Sequence, residues 1–193
     1  CKGEGARWHY HNALELTLFT SGEGSRFVGD HIGTFGPGDL VLLGECVPHY
    51  WHVPGDSSGV SVQWEFPPNH PIWEVREAGQ LRRVFSESSR GLQLIGDTAQ
   101  WVRQGLEEML TGTELERLGL LLQILGRINT APEADRVYLS GQSFELETGS
   151  SYREAMSEAV SYLVSHFRRE VVLEEMLSLT GMSKSTFSRQ FRI

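Results

Sequence analysis

The sequence predicts an α+β fold: an antiparallel β-barrel, then an antiparallel pair of helices, then an all-α unit built on a helix-turn-helix. Three observations carry this. Up to Phe66, short runs rich in Val, Leu and aromatics alternate with Gly, Pro and Asp turn clusters. From Asp97 onward the apolar residues recur at helical spacing instead. The last stretch, "LEEMLSLTGMSKSTFSRQF", places a glycine between two short amphipathic segments.

Bulk properties set the limits. The chain has 193 residues, enough for one domain with an appendage or two small domains. At 39% hydrophobic and 22% charged it has the composition of a globular protein, and no apolar run approaches the roughly 18 residues needed to cross a bilayer. Two cysteines, Cys1 and Cys46, make no disulfide framework, which points to the cytoplasm. Opening on Cys1 without Met, the chain reads as part of a longer protein. The net charge of −8 argues against nucleic acid, but its distribution is uneven. After Gly149 there are six Lys/Arg against five Glu, and from Ser183 three basic residues and no acid. A basic tip sits on an acidic body.

Taken in order, the expected strands are "ALELTLFT", "SRFVG", "DLVLLG", "HYWHV" and "GVSVQWEF", separated by "SGEGS", "FGPGD" and "VPGDSSG". Strands this short and this closely spaced suit a sandwich or barrel. "AGQLRRVFSESS" reads as a short helix and "GLQLIG" as a returning strand. A helix follows from Asp97, its expected cap, with Trp101, Val102, Leu106, Met109 and Leu110 on one face. A second, Leu-rich helix spans Thr113–Ile128 and must bury its surface on the barrel or on a second chain. Residues 1–96 thus form the barrel, 97–129 the helical pair and expected dimerisation element, 130–149 a linker, and 150–193 the helix-turn-helix unit. That unit begins with a helix over Ser151–Phe167.

In the last unit, Leu173, Met176 and Leu177 give the first short helix its apolar face. Gly181 supplies a turn with positive φ, and Ser183 is a natural N-cap for the second helix. Phe187 and Phe191 hold that helix down. Its other face shows Lys184, Ser185, Ser188, Arg189 and Arg192, groups suited to base edges and phosphates. A plain helical hairpin with a solvated charged face fits the pattern as well. The stretch "SYLVSHFRREVVLEEMLSLTGMSKSTFSRQF" closely resembles the start of the DNA-binding domain of AraC-type transcriptional regulators, at Gly181-Met182-Ser183 and at Ser188-Arg189-Gln190-Phe191. The resemblance implies that Lys184, Ser185 and Ser188 face the major groove and that Arg189 lies near the backbone or braces the fold. Leu177 departs from the small Ala usual in that family. The family domain carries two such motifs, so about 50–60 further residues are expected beyond this chain.

The other informative stretch is "HYHNALELTLFTSG". On one strand His9, His11 and Glu15 share a face, with Ala13, Thr17 and Phe19. A strand with its polar face in water would look the same. From Gly3 the chain reads G-x5-H-x-H-x3-E-x6-G, ending at Gly22, and this resembles the first motif of the cupin superfamily. The resemblance implies a small β-barrel holding a metal on His9, His11, Glu15 and a later histidine, which His49 in "PGDLVLLGECVPHYW" fits. The second motif is imperfect, with Gly44 and Cys46 where Pro and Gly are usual.

A carboxylate and three imidazoles inside a barrel need a cation, a ligand or water. As a metal site they suit Zn, Ni, Mn or Fe, without selecting among them. As a metal-free effector site, His9, His11, Glu15, His49 and Gln63 would contact a small polar metabolite such as a sugar, with Trp51 or Trp64 stacked on it. A structural role for the same groups also stays open. The expected function is a ligand-responsive regulator that binds double-stranded DNA as a homodimer, has no membrane segment and is not an enzyme. The alternative is a metal-dependent cupin enzyme, a dioxygenase or sugar isomerase.

Overall fold

The computed structural model of the chain describes residues 8–143 and, beyond them, 155, 158, 159, 162, 163, 166 and 170–190, the side chains of 189 and 190 excepted. Eight strands are described: β1 Leu14–Ser21, β2 Gly24–Val28, β3 His31–Phe35, β4 Leu40–Leu43, β5 His49–His52, β6 Ser58–Trp64, β7 Leu92–Leu94 and β8 Arg136–Tyr138. They make two antiparallel sheets, one ordered β6-β1-β4-β7-β8 and one ordered β3-β2-β5. The expected closed barrel is therefore corrected to two sheets. Closure needs every strand to pair on both sides. Here β6 and β8 edge the larger sheet, and β3 and β5 edge the smaller.

Cross-strand register decides which side chains meet between the sheets, because directly paired residues point the same way. On the larger sheet Glu15 lies opposite Leu43 and Gln63, and Thr17 opposite Val41 and Ser61. On the smaller sheet Val28 lies opposite His31 and His49, and Arg26 opposite Gly33 and Trp51. Val28, Phe35, Val41, Leu43, Val47, Trp51 and Leu139 fill an apolar layer in this interior. The alternate residues of β1 and β4, Leu14, Leu16, Leu18, Leu40 and Leu42, pack the other way. That is why "DLVLLG" reads as a continuous apolar run: β4 is buried on both faces.

The helices cover that second face. They are α1 Leu81–Ser88, α2 Gly96–Met109 and α3 Glu114–Asn129. Val102, Leu106, Leu121, Ile124, Leu125 and Ile128 pack on the leucines of β1 and β4. The helix α3 starts with a full capping box: Thr113 Oγ1 accepts from Glu116 N, and Thr113 N donates to Glu116 Oε2. The start of α2 corrects one expectation. Asp97 is exposed in the first turn, and the carboxylate that accepts from Thr98 N, at 3.0 Å, belongs to Asp135. A side chain from 37 residues downstream outcompetes the local one.

Two strands lie outside the expected set. β3 falls in "HIGTF", and β8 falls within 130–149, which was expected to be a linker throughout. Pairing with β7 through Leu92 and Tyr138 makes β8 part of the larger sheet. Its first residue, Arg136, is buried and ties three elements together. The guanidinium contacts the Glu87 carboxylate of α1 and donates to Ile128 O, Asn129 O and Ala131 O at the end of α3. Residues 144–149 lie outside the described set.

The C-terminal unit has its own small core of Ala159, Met176, Met182 and Phe187. Its short helices are α4 Leu173–Thr180 and α5 Lys184–Gln190. Gly181 has φ 64 between them, the left-handed conformation that makes glycine the favoured residue there. Ser183 Oγ accepts from Thr186 N at 3.2 Å, as an N-cap should. Phe191 and most of the expected 151–167 helix lie outside the described residues.

Candidate functional site

The histidines gather by a route that differs from one straight strand. β1 begins only at Leu14, after a bend at Asn12 and Ala13. Residues before the bend lie beside the segment leading into β5: His9 N donates to His49 O at 3.1 Å, His49 N to His9 O at 2.9 Å, and Cys46 N to His11 O at 2.8 Å. The ring centroids stand 4.2 Å apart for His9 and His49, 5.1 Å for His11 and His49, and 5.7 Å for His9 and His11. One nitrogen from each of the three histidines lies within 4.8 Å of the others. Glu15 completes the group from β1, its Oε2 3.0 Å from His11 Nε2 and 3.9 Å from His49 Nε2. The four residues expected as one group, His9, His11, Glu15 and His49, thus lie together.

Second contacts set the protonation. Nδ1 of His11 and Nδ1 of His49 each lie 2.8 Å from a backbone carbonyl, of Ala13 and Val47. A carbonyl only accepts, so both Nδ1 atoms carry the proton; a neutral His49 then points its Nε2 lone pair into the site, whereas His11 Nε2, 3.0 Å from Glu15 Oε2, donates to that carboxylate when the His11 ring is protonated. His49 Nε2 is buried and has no hydrogen-bond partner. Burial, reinforced by the charge of His9, pushes the His49 imidazolium down to about 4, against the opposing pull of Glu15. His49 is therefore neutral near pH 7, the state that ligates a metal. Burial pushes the Glu15 carboxyl up, but hydrogen bonds from His11, Thr17 and Gln63 and the charge of His49 outweigh it. Glu15 is held well below the usual carboxylate range and is ionised.

Of the other expected contacts, Gln63 is present: its Nε2 donates to Glu15 Oε2 at 2.7 Å from the exposed rim of β6. Trp51 is buried edge-on to His49, with centroids 5.4 Å apart, and its Nε1 has no partner. Trp64 is corrected. It pairs with Leu14 and faces the helices, so it cannot stack on anything held by the histidines. Thr17 joins the site unannounced, donating to Glu15 Oε1 at 2.5 Å. Its place two residues along the same strand face was the available signal.

A second buried polar group escaped the sequence altogether. Arg26 Nη1 donates to both carboxylate oxygens of Asp39 at 2.6 Å, and Gln93 Nε2 donates to Asp39 Oδ1 at 2.7 Å. These residues come from three separate regions of the chain, and only "PGD" marked one of them, as a turn. Near the C-terminus, Lys184 and Ser185 are exposed at the start of α5 and Ser188 is half-buried. The side chains of Arg189 and Arg192 lie outside the described residues.

Fold and site together define an α+β chain with a three-histidine, one-glutamate cluster between two sheets, followed by a helix-turn-helix. No described helix is long and apolar enough to cross a membrane. No protein-family model and no curated protein matches the chain. Among solved structures it is similar to the AraC-like transcriptional activator CuxR, at 14% identity and a TM-score of 0.44 over 91% of this chain and 59% of that one. It is also similar to ToxT from Vibrio cholerae O395, solved bound to (E)-4-(8-methylnaphthalen-1-yl)but-3-enoic acid, at 10% identity and a TM-score of 0.41 over 96% of this chain and 72% of that one. The chain spans less than two thirds of CuxR.

Proposed function

We propose that the chain is the sensor and the first DNA-reading element of a ligand-responsive transcription regulator of the AraC type. The observation that carries this is the second unit. A glycine at φ 64, a serine N-cap and a helix buried through Phe187 leave Lys184 and Ser185 exposed, as a reading helix requires. An enzyme working at the histidine site has no use for that arrangement.

The sensor is the His9, His11, His49 and Glu15 cluster. We infer a divalent cation there, with Gln63 and Thr17 holding the carboxylate. Two Nδ1–H groups already engaged with carbonyls orient two ligating nitrogens, a common arrangement behind metal-bound imidazoles. The cation would supply positive charge between the sheets and fix the distance from β5 to β1. Its role is to favour one arrangement of the domain over another, since a ligand shifts an equilibrium only by its differential affinity.

A homodimer through α3 belongs to the same reading. Leu115, Leu118 and Leu122 are 79%, 46% and 36% exposed along one stripe, and beside them Gly119 and Gly126 meet nothing. That stripe suits a second copy of the same helix, because small residues allow close approach.

The test is a gel shift of the full-length protein on the DNA upstream of its own coding region, with Zn²⁺ or Ni²⁺ and with chelator. The expected result is a sequence-selective shift whose affinity changes about fivefold or more with the metal. Leu118→Glu should halve the mass in solution and weaken the shift. No sequence-selective binding in either condition would overturn the reading.

A further inference from the structure

The chain leaves the sheets through Leu139–Gln142, and this exit is fastened to the β2–β3 turn. Ser140 Oγ donates to Asp30 Oδ1 at 2.6 Å and accepts from Gln142 N at 3.0 Å. Ser140 N donates to Arg90 O at 2.8 Å, and Ser140 O accepts from Arg90 Nε at 3.0 Å. Ser140 is 1% exposed, although it lies just past the last strand. A buried hydroxyl on a carboxylate, at the point where the chain departs, is a specific fastening and not a solvated tail.

The turn that receives it is one step from the sensor site. Val28, the last residue of β2, pairs with His49. The next residue, Gly29, donates its N–H to Pro48 O at 2.8 Å and turns the chain into Asp30 at φ 57. Val28 and Leu139 share one buried cluster with Trp51. Val28 also lies so close to Gly91 that a Cβ there would stand 2.5 Å from it. A displacement of His49 therefore reaches Ser140 through Val28, Gly29 and Asp30, with a strand pairing, a hydrogen bond or a peptide bond at every step. Packed interiors transmit such shifts because they do not compress.

We propose that the Asp30–Ser140 contact is a latch through which occupancy of the histidine site acts on the chain leaving the sensor, the occupied site favouring the closed latch. In the arrangement seen, the histidines are gathered and the latch is made, so a ligand that holds His49 in place holds the latch too. By reciprocity, breaking the latch weakens the ligand by the same factor. The proposal rests on the sensor reading above.

Zn²⁺ is the probe. Its binding is titrated calorimetrically into wild type, Ser140→Ala, Asp30→Ala and, as an off-route control, Ser89→Ala, which removes another buried serine hydroxyl, one bonded within α1 to Ser86 O. Amide exchange across 139–142 is followed in parallel in the wild type. Zn²⁺ should slow that exchange about tenfold, and both latch variants should bind Zn²⁺ about fivefold more weakly or worse, with the control within about twofold of wild type. Exchange that ignores Zn²⁺, or latch variants that bind as wild type does, would overturn the latch and leave the sensor reading standing. Wild type that binds no Zn²⁺ would overturn both.

Discussion

Arg136→Ala should lower the free energy of unfolding by about 3–5 kcal/mol, the largest loss expected from any single change considered. The guanidinium is buried, with the residue 6% exposed, and it is fully used. It meets the Glu87 carboxylate on one side and three carbonyls, of Ile128, Asn129 and Ala131, on the other. Those carbonyls lie at or just past the C-terminal end of α3, where a helix runs out of internal donors. Alanine would take the side-chain donor from Asn129 O and Ala131 O, leave Ile128 O with only backbone donors such as Ala131 N at 3.2 Å, and leave Glu87 with only Arg83, at 2.8 Å on the exposed side. Each stranded buried acceptor costs about 1–3 kcal/mol. Arg136→Met separates volume from chemistry: it restores packing but no donor, and should recover little. The measurement is urea unfolding followed by tryptophan fluorescence. Trp8, Trp51, Trp64, Trp73 and Trp101 all lie before the helix-turn-helix, so the signal reports the sensor part alone. A loss under about 1 kcal/mol would mean that water reaches the α3 carbonyls unaided.

Arg136 also marks the boundary of what the sequence disclosed. Alternation, short apolar runs and turn clusters located β1, β2, β4, β5, β6 and β7; β4, buried on both faces, showed as a continuous run and not as a period. β8 has three residues, "RVY", set among Pro, Glu and Asp, and nothing local distinguishes it from a linker. It exists because β7 offers it a free edge. β3 was hidden differently: Ile32 and Thr34 point to solvent and Gly33 has no side chain to register. The capping box of α3 is local, Thr113 to Glu116, and lies where the sequence puts the start of that helix. The Asp135 cap of α2 was not, because it arrives through tertiary structure.

The site divides the same way. His9, His11 and Glu15 were legible from spacing and His49 only from the resemblance to the cupin motifs, and the bend at Asn12 and Ala13 shows that a straight strand is not what unites them. Arg26, Asp39 and Gln93 carry no spacing rule and meet only when two sheets face each other. The two polar groups also differ in what they leave open. Asp39 has donors on both oxygens. The histidine group retains a buried, unpartnered His49 Nε2. The Asp39 group leaves a buried donor open, Arg26 Nε, and the histidine group a buried acceptor, the kind of atom a cation would meet.

That open acceptor has a thermodynamic signature. In chelator-treated protein, stability should fall by about 3 kcal/mol as the pH drops from 6.5 to 4. His49 has its ordinary imidazole value of 6.5 in the unfolded chain and about 4 when folded. Between those values the unfolded state binds a proton that the folded state refuses, so acid favours unfolding and the contribution is complete only above 6.5. His31, pushed down by burial and by Arg26, acts in the same direction. Glu15 is depressed below the carboxylate range, so its contribution is present above its unfolded value of 4.5 and is lost only as the pH falls further. Glu45, raised by burial and by Glu65, opposes the trend and is mostly exposed, so its effect is screened. Thermal or urea midpoints taken every half pH unit would show the slope, and His49→Leu should remove most of it. A wild-type slope as flat as the variant's would mean that His49 accepts a proton while folded. Its Nε2 would then be a donor to Glu15, and the lone pair on which the metal reading depends would be filled.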